Sequence, residues 1–277
     1  MNKSINCVCF SLNDFSKIHR EMAERMVLSL RKTNKKIKII CLYSGNNKKF
    51  LKKLELNDVN VIITKLTFGS HLLNSRKLSE SEKEIATGAY LMVDIPLHIS
   101  ENQFALYVDC DVIFLDQFCI TNVPILEDNF CLGACSERNW QDSLFLNYFN
   151  TGFVVVDIFK MLNSYDKFVS YIIHKDFDFI AYDQGAINEF YCNQIMALSD
   201  SFNYKPYWLS KIAFNKAKVL HFHGLKPEHM KRILLENDYK FLEGHIDLID
   251  IIEDWGSKDV LIKDIKFLMD IYNSFSC

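Results

Sequence analysis

Short apolar runs alternate with amphipathic segments over the first 64 residues. The runs at 5–10, 37–43 and 59–64 are rich in β-branched and aromatic side chains, which predicts three strands. Residues 16–31, which open with a serine suited to capping, and residues 48–56 repeat apolar positions at helical spacing, so we predict two helices between the strands. This alternation favours a parallel sheet with crossover helices, and such sheets bind ligands beyond the carboxyl ends of their strands.

The same mixture continues along the chain, except that residues 67–80 are polar and poorly patterned. Further strands are predicted at 104–108, 130–135, 148–157 and 219–223, and further helices at 81–96, 157–174 and 182–191. From residue 228 the pattern is helical to the end, and the segment 258–275 has too few cations for a membrane-surface helix. We therefore predict an α/β domain over residues 1–227 and a helical C-terminal extension over residues 228–277 that packs on it.

Composition narrows the class of protein. The 277 residues are 49% hydrophobic and 24% charged with a net charge of −3, which indicates a globular protein and no nucleic-acid-binding face. Nine cysteines without a C-x-x-C pair are typical of buried thiols in a reducing compartment. We find no signal peptide and no apolar run long enough to span a membrane, so we expect a cytoplasmic protein, with peripheral contact to the inner face of the membrane left open. The oligomeric state is not predicted.

Candidate chemistry first appears in residues 104–118, which read FALYVDCDVIFLDQF. Asp109 and Asp111 follow a buried strand, and because they are one residue apart on an extended backbone their carboxylates point to the same side while Cys110 points away. Ionised carboxylates beside apolar residues need compensation, and a divalent cation supplies it. Alone, this short motif fits ordinary strand-end carboxylates in solvent equally well.

Three later segments change that balance. They are FNTGFVVVDI at 149–158, YDQGAINEF at 182–190 and HFHGLKP at 221–227. Together with YVDCDVIF at 107–114, in this order and at roughly these separations, they resemble glycosyltransferase family eight, the retaining enzymes of GT-A fold that include bacterial lipopolysaccharide galactosyl- and glucosyltransferases and glycogenin. The resemblance extends from residue 5 to about residue 230. It implies a Rossmann-like, mostly parallel central sheet flanked by helices.

The resemblance also implies a metal site. Asp109, Asp111 and His221 would bind Mn²⁺, with Mg²⁺ as the alternative, and an imidazole among the ligands favours Mn²⁺. The metal would bind the diphosphate of a nucleotide sugar, with Asp109 also touching the donor and with Gly224 and Lys226 beside the phosphates. His223 shares a strand face with His221, and we interpret it as a surface histidine more readily than as a further ligand.

By the same resemblance, Asn150, Asp183 and Gln184 would contact the donor sugar. Gln184 is where a group that stabilises an oxocarbenium-like sugar is wanted, and Asp183 is the nearest candidate carboxylate. A covalent intermediate would need a carboxylate close to the anomeric carbon, and we favour same-face attack with the leaving diphosphate as the base. The uracil would lie near the end of the first strand, at Ser11 and Asn13.

The chain departs from the family at one position. The family carries an arginine in a pattern like A-Y-x-R on the helix before the paired aspartates, and this chain has Met92 there. Arg76 and Lys83 lie upstream and are candidates to supply the charge. Acceptor contacts are expected from residues 136–147 and the C-terminal helices, with Trp140 either a sugar-stacking platform or a local packing anchor.

The leading hypothesis is a Mn²⁺-dependent retaining hexosyltransferase that transfers galactose or glucose from a UDP-sugar. Its acceptor would be a glycan or glycolipid, such as a bacterial surface polysaccharide or lipo-oligosaccharide. A nucleotidyltransferase is a second possibility, although it would show a glycine-rich loop after the first strand, and residues 11–15 contain no glycine. A third is a non-catalytic nucleotide-sugar-binding protein of the same fold, for which Met92 is the supporting observation.

Overall fold

The computed structural model describes residues 4–99, 104–137, 148–206, 213–236 and 258–275. Trp140, most of the predicted acceptor loop and residues 237–257 of the predicted extension lie outside the described residues. The domain boundary at residue 227 therefore stays a prediction.

Nine strands and nine helices make up the described part of the chain. The strands are β1 (Ile5–Asn13), β2 (Lys38–Ser44), β3 (Val59–Ile63), β4 (Phe104–Val108), β5 (Val112–Phe114), β6 (Leu132–Ser136), β7 (Phe149–Asp157), β8 (Ile195–Leu198) and β9 (Val219–His221). The helices are α1 (Lys17–Thr33), α2 (Lys48–Leu56), α3 (Gly69–Leu73), α4 (Glu80–Tyr90), α5 (Ile95–His98), α6 (Ile158–His174), α7 (Asp183–Phe190), α8 (Pro227–Glu236) and α9 (Lys258–Asn273).

Seven strands form one central sheet in the order β3-β2-β1-β4-β7-β6-β8. All of its neighbouring pairs are parallel except the two made by β7, which runs antiparallel to both β4 and β6. Apolar side chains cover both faces of this sheet and form two buried clusters, as crossover helices on a parallel sheet require. The predicted α/β class with a mostly parallel sheet is confirmed.

A small second sheet brings distant parts of the chain together. β5 pairs antiparallel with β9, and Val112 lies opposite His221. The backbone N–H of Phe222 donates to the carbonyl oxygen of Asp111 over 3.0 Å, which extends this pairing by one step. The aspartate motif and the histidine motif are therefore neighbours in space.

Several elements differ from the sequence predictions. The predicted helix over 81–96 is α4, a 3₁₀ turn at Leu91–Asp94 and then α5. Pro96 lies in the first turn of α5, where a helix needs no N–H, so it begins a helix instead of ending one. Helix α3 lies in the segment that showed no pattern, and β8 was not predicted, because five and four residues are too few to show a period.

Helix α9 packs against the rest of the protein through Ile265, Leu268, Met269 and Tyr272, which are all buried. These side chains form an apolar cluster with residues of α1, β9 and α8. Tyr272 packs edge-on against Phe222, just after β9, and lies under the guanidinium of Arg25. Within the ranges that the structure describes, no helix is long and apolar enough to cross a membrane.

Candidate functional site

The paired aspartates occupy the turn between β4 and β5, at the carboxyl end of the central parallel strands. Nε2 of His221 lies 3.2 Å from Oδ1 of Asp111 and 3.8 Å from Oδ2 of Asp109. One ligand atom from each of the three residues lies within 4.8 Å of the others. His221 and Asp111 are buried, whereas Asp109 keeps 37% of its side chain exposed. The three predicted metal ligands therefore form one cluster with an open side.

Gly152 on β7 makes room for this cluster. Its carbonyl oxygen accepts the backbone N–H of Asp109 over 3.1 Å, which fixes the start of the turn. A Cβ at position 152 would lie 2.6 Å from Nδ1 of His221 and closer still to Cε1. The glycine that the sequence places inside a strand thus allows the imidazole to lie against the sheet.

The two carboxyl groups have opposite pKa shifts. Desolvation raises the pKa of Asp109 well above its ordinary value, and the charges of Asp111 and Asp183 raise it further. For Asp111, desolvation also raises the pKa, but the nearby Lys226 ammonium is the main opposing cause and the pKa is held well below the ordinary value. The Lys226 ammonium thus favours the ionised form of Asp111, and a bound cation would do the same for Asp109.

Lys226 lies at the end of the loop that follows β9. Its ammonium forms an ion pair with Oδ2 of Asp111 and donates to the carbonyl oxygen of Phe222 over 3.0 Å. Gly224 has a φ of 88°, a left-handed conformation that favours glycine and allows this loop to bend back toward the aspartates. The structure thus places Lys226 beside the acidic cluster, with Gly224 in the turn that carries it there.

Asn150 and Gln184 form one hydrogen-bonded group next to the cluster. Nδ2 of Asn150 donates to Oε1 of Gln184 over 2.9 Å, and the backbone N–H of Thr151 donates to the same oxygen over 3.2 Å. Asp183, at the start of α7, is buried and its carboxyl accepts a hydrogen bond from the Thr151 side chain. Desolvation raises its pKa to about 7 despite that bond.

A cavity connects the aspartates and Lys226 to the end of β1, but the predicted site residues Asn150, Gln184, His221 and Gly224 are not part of its lining. Its lining includes Ser11, Asn13, Asp109, Asp183 and Lys226. The Ser11 hydroxyl is 3.0 Å from the hydroxyl of Tyr107, and Nδ2 of Asn13 donates to the carbonyl oxygen of Glu84 over 2.7 Å. Phe15 and His19, which the sequence analysis did not single out, also line this cavity.

Three further residues extend the site inward and carried no motif in the sequence. Asn203 bonds to Asn150 and His221, while Lys205 and Glu137 form a buried ion pair with 3.0 Å between Nζ and Oε1. Oε2 of Glu137 accepts the amide of Asn150 over 2.6 Å. Desolvation raises the pKa of Glu137, but the Lys205 ammonium outweighs it and the pKa is lowered. The polar site thus continues into the interior.

The position of the missing family arginine is part of the core. Met92 is fully buried in the apolar cluster beside Tyr90. Neither suggested substitute lines the cavity, and Lys83 pairs with Glu80 over 2.8 Å. Among the described residues, Lys226 is the only lysine or arginine in the cavity lining.

His223 is partly buried beside the metal cluster, and its ring centroid lies 5.2 Å from that of His221. Its Nε2 is 3.7 Å from Oε2 of Glu137, and it does not belong to the group formed by Asp109, Asp111 and His221.

No family model and no curated protein matches the chain. Several solved structures match the chain. The galactosyltransferase LgtC in complex with donor and acceptor sugar analogs superposes with a TM-score of 0.65 at 16% identity, covering 98% of this chain and 96% of that one. An active-site mutant of LgtC, with glutamate in place of a glutamine, superposes with a TM-score of 0.63 at 15% identity over 88% and 95% of the two chains.

The glycosyltransferase GlyE of Streptococcus pneumoniae TIGR4 superposes with a TM-score of 0.59 at 16% identity, covering 93% of this chain and 64% of that one. At these identities the likeness shows the fold. The chain has the fold of these GT-A glycosyltransferases, as its sequence predicts. Membership of family eight stays a prediction.

Proposed function

We propose that this protein is a metal-dependent retaining glycosyltransferase that transfers galactose or glucose from a UDP-sugar to a glycan or glycolipid acceptor. The observation that carries the proposal is the cluster of Asp109, Asp111 and His221 at the open carboxyl edge of a GT-A sheet. Ligands of parallel α/β sheets bind at that edge. The glycosyltransferase names of the structural neighbours, and the donor and acceptor analogs bound to LgtC, support the same class.

The donor set fits a divalent cation. Two carboxylates and one imidazole within 4.8 Å of one another leave further coordination positions for diphosphate oxygens and water. The nitrogen ligand favours Mn²⁺ over Mg²⁺. When bound, such an ion neutralises the diphosphate and makes it a better leaving group.

The other residues then have separate roles in donor binding. Lys226, with Gly224 in its loop, contacts the diphosphate as a second cation, and Ser11 and Asn13 contact the nucleoside near the end of β1. These assignments rest on the shared cavity that joins the end of β1 to Lys226.

Asn150, Asp183 and Gln184 form the sugar subsite. Both atoms of the buried Asn150 amide already have protein partners, so Asn150 contacts the sugar only by giving up one of these bonds. Oε1 of Gln184 is occupied by two donors, so its amide N–H groups are the part that can turn toward the sugar. The active-site glutamine of LgtC is consistent with this role. We favour same-face attack with the leaving diphosphate as the base, because burial opposes ionisation of Asp183, the nearest candidate nucleophile.

The burial of Met92 supports the non-catalytic alternative, since no second lysine or arginine among the described residues lines the cavity. A nucleotidyltransferase gains no support from the loop after β1, which lacks glycine. Whichever of these functions it has, we place the protein in the cytoplasm. The burial of Cys7, Cys9, Cys41, Cys131 and Cys135, all free thiols, supports a reducing compartment.

The test is UDP release from a panel of UDP-sugars with Mn²⁺, for the wild type, Asp111→Ala and the matched control Asp116→Ala. Asp116 follows β5 and is exposed, where it pairs with Lys32. We expect slow hydrolysis of one donor that EDTA and Asp111→Ala abolish and that Asp116→Ala retains. Mn²⁺-dependent UDP binding without release, even with candidate acceptors, would favour the non-catalytic protein. No UDP binding would contradict both.

A further inference from the structure

Asn203 lies between the candidate sugar-binding amide and the candidate metal ligand. Its side chain is 2% exposed. Nδ2 of Asn203 donates to Oδ1 of Asn150 over 2.7 Å, and its Oδ1 is 2.7 Å from Nδ1 of His221. In the sequence, the residue lies in the connection between β8 and β9, outside all four motif segments.

The orientation of these amides follows from a backbone donor. The N–H of Gly152 points at the side-chain atom of Asn150 that lies 2.9 Å away, so that atom is the oxygen. The same oxygen of Asn150 requires a donor from Asn203, so the amide nitrogen of Asn203 faces Asn150. The oxygen of Asn203 must then face His221. A flip of either amide would set two donors or two acceptors against each other inside the protein.

The chain of bonds therefore ends at the imidazole. An oxygen at 2.7 Å from Nδ1 requires that nitrogen to carry the proton. In the neutral ring Nε2 is then unprotonated, and it is this atom that faces Asp109 and Asp111. The competing tautomer would place the proton on Nε2, where it would donate to Oδ1 of Asp111 over 3.2 Å and occupy the direction of a metal.

We propose that Asn203 is a positioning residue that holds His221 in its Nδ1–H tautomer, with the Nε2 lone pair directed at the carboxylates. This inference rests on the metal site of the proposed function. Partners of this kind behind a metal-bound imidazole typically change metal affinity by about 10- to 100-fold. Asn203 would thus set the strength of the site without touching the ion or the donor.

The experiment joins two readouts on the full-length protein. Long-range ¹H–¹⁵N correlation spectra of the metal-free protein, recorded about two pH units above the ordinary imidazole pKa of ~6.5, report which ring nitrogen carries the proton. His221→Gln identifies the signal. Mn²⁺ affinity is measured by calorimetry with saturating UDP. The variants are Asn203→Ala, Asn203→Asp, and Asn34→Ala as the control, since Asn34 is another buried asparagine, whose oxygen accepts the N–H of Ile120.

We expect Nδ1–H in the wild type, a shift of the proton to Nε2 in Asn203→Ala, and a Mn²⁺ affinity about 10- to 100-fold lower in that variant. Asn203→Asp loses the amide donor to Asn150 but keeps an oxygen opposite Nδ1, so it should keep the proton on Nδ1. Asn34→Ala should change neither readout.

An Nε2–H tautomer in the wild type, or an unchanged tautomer in Asn203→Ala, would overturn the proposal. If wild type shows Nδ1–H yet binds no Mn²⁺, the proposed function fails while the role of Asn203 in the tautomer stands.

Discussion

Lys226 and Asp111 are 115 positions apart in the chain, yet they form an ion pair inside the candidate metal cluster. The ammonium also donates a hydrogen bond to the carbonyl oxygen of Phe222 over 3.0 Å. Lys226 therefore neutralises the same carboxylate that a metal would use. A metal that binds alone must compete with this ammonium, whereas a diphosphate gives the lysine a new anionic partner. The pair would therefore make the proposed metal binding and the proposed nucleotide binding depend on each other.

Replacing Lys226 by methionine should separate these two effects. We expect Lys226→Met to raise the affinity for Mn²⁺ alone by about tenfold and to lower the affinity for UDP with Mn²⁺ by a similar factor. Tenfold corresponds to about 1.4 kcal/mol, less than the ~4 kcal/mol that two charges 4 Å apart gain near a protein surface. Calorimetric titrations of Mn²⁺ without nucleotide, and of UDP at saturating Mn²⁺, measure both changes.

Lys231→Met is the matched control, because Lys231 is exposed on α8, the helix that follows Lys226. It should alter neither affinity. An unchanged affinity for Mn²⁺ alone in Lys226→Met would mean that the lysine does not compete with the ion.

Gly152→Ala should disturb the candidate metal site, because position 152 lies directly against the imidazole of His221. The added methyl would overlap the imidazole of His221, so the ring or β7 must shift. We expect a loss of about 1–3 kcal/mol in the free energy of unfolding and a large loss of Mn²⁺-dependent UDP binding. Urea denaturation and calorimetry measure the two.

Gly69→Ala serves for comparison, since its Cβ would meet nothing nearer than Cβ of Leu66 at 3.5 Å. Its stability should change by no more than about 1 kcal/mol. If Gly152→Ala binds Mn²⁺ and UDP as the wild type does, the close approach of strand and imidazole is not needed for the site.

The sequence singled out those residues of the candidate site that lie in local motifs. Asp109 and Asp111 follow a strand that the hydrophobic pattern predicts, and Asp183 and Gln184 begin a helix that it also predicts. It did not predict Asn203, because its partners come from β7 and β9 and no local pattern marks such a residue. Hydrophobic patterning likewise gave the sheet but missed β8, whose four residues are too short to show a period.

The burial of Met92 is a second feature that the sequence did not predict. The motif comparison showed only that Met92 stands where the family has an arginine, and the fold buries this side chain in the core. Burial of a single side chain depends on how the 3₁₀ turn after α4 is oriented, and the sequence around it predicted one continuous helix.

The buried ion pair of Glu137 and Lys205 makes a prediction about stability. Both side chains are less than one-tenth exposed, so removing either partner leaves a buried charge without its counterion. We expect Lys205→Met and Glu137→Gln each to cost about 3–5 kcal/mol, and the double variant to recover most of that loss. Urea denaturation of the four proteins gives the coupling energy.

The exposed pair of Lys77 and Asp178, also 3.0 Å apart, is the control, and Lys77→Met should cost less than about 1 kcal/mol. Equal costs for Lys205→Met and Lys77→Met would contradict the buried character of the inner pair.

Asp183 should make the metal-free protein less stable as the pH rises. Its pKa is about 7 in the folded protein because of desolvation, against an ordinary value of 3.8. Between these values the folded state holds a proton that the unfolded state has released, so the free energy of unfolding falls as pH increases from about 4 to about 7. Above pH 7 the loss is complete, and its size is on the order of a few kcal/mol.

Asp183→Asn cannot ionise and should remove this slope, whereas Asp178→Asn, which alters an exposed carboxylate, should leave it in place. Urea denaturation at several pH values, with EDTA present, compares the wild type with both variants. The wild type and Asp183→Asn should differ least near pH 4 and most above pH 7, with the variant more stable at the higher pH. A constant difference across this range would show that Asp183 is ionised in the folded protein throughout, which would contradict the rise of its pKa by desolvation.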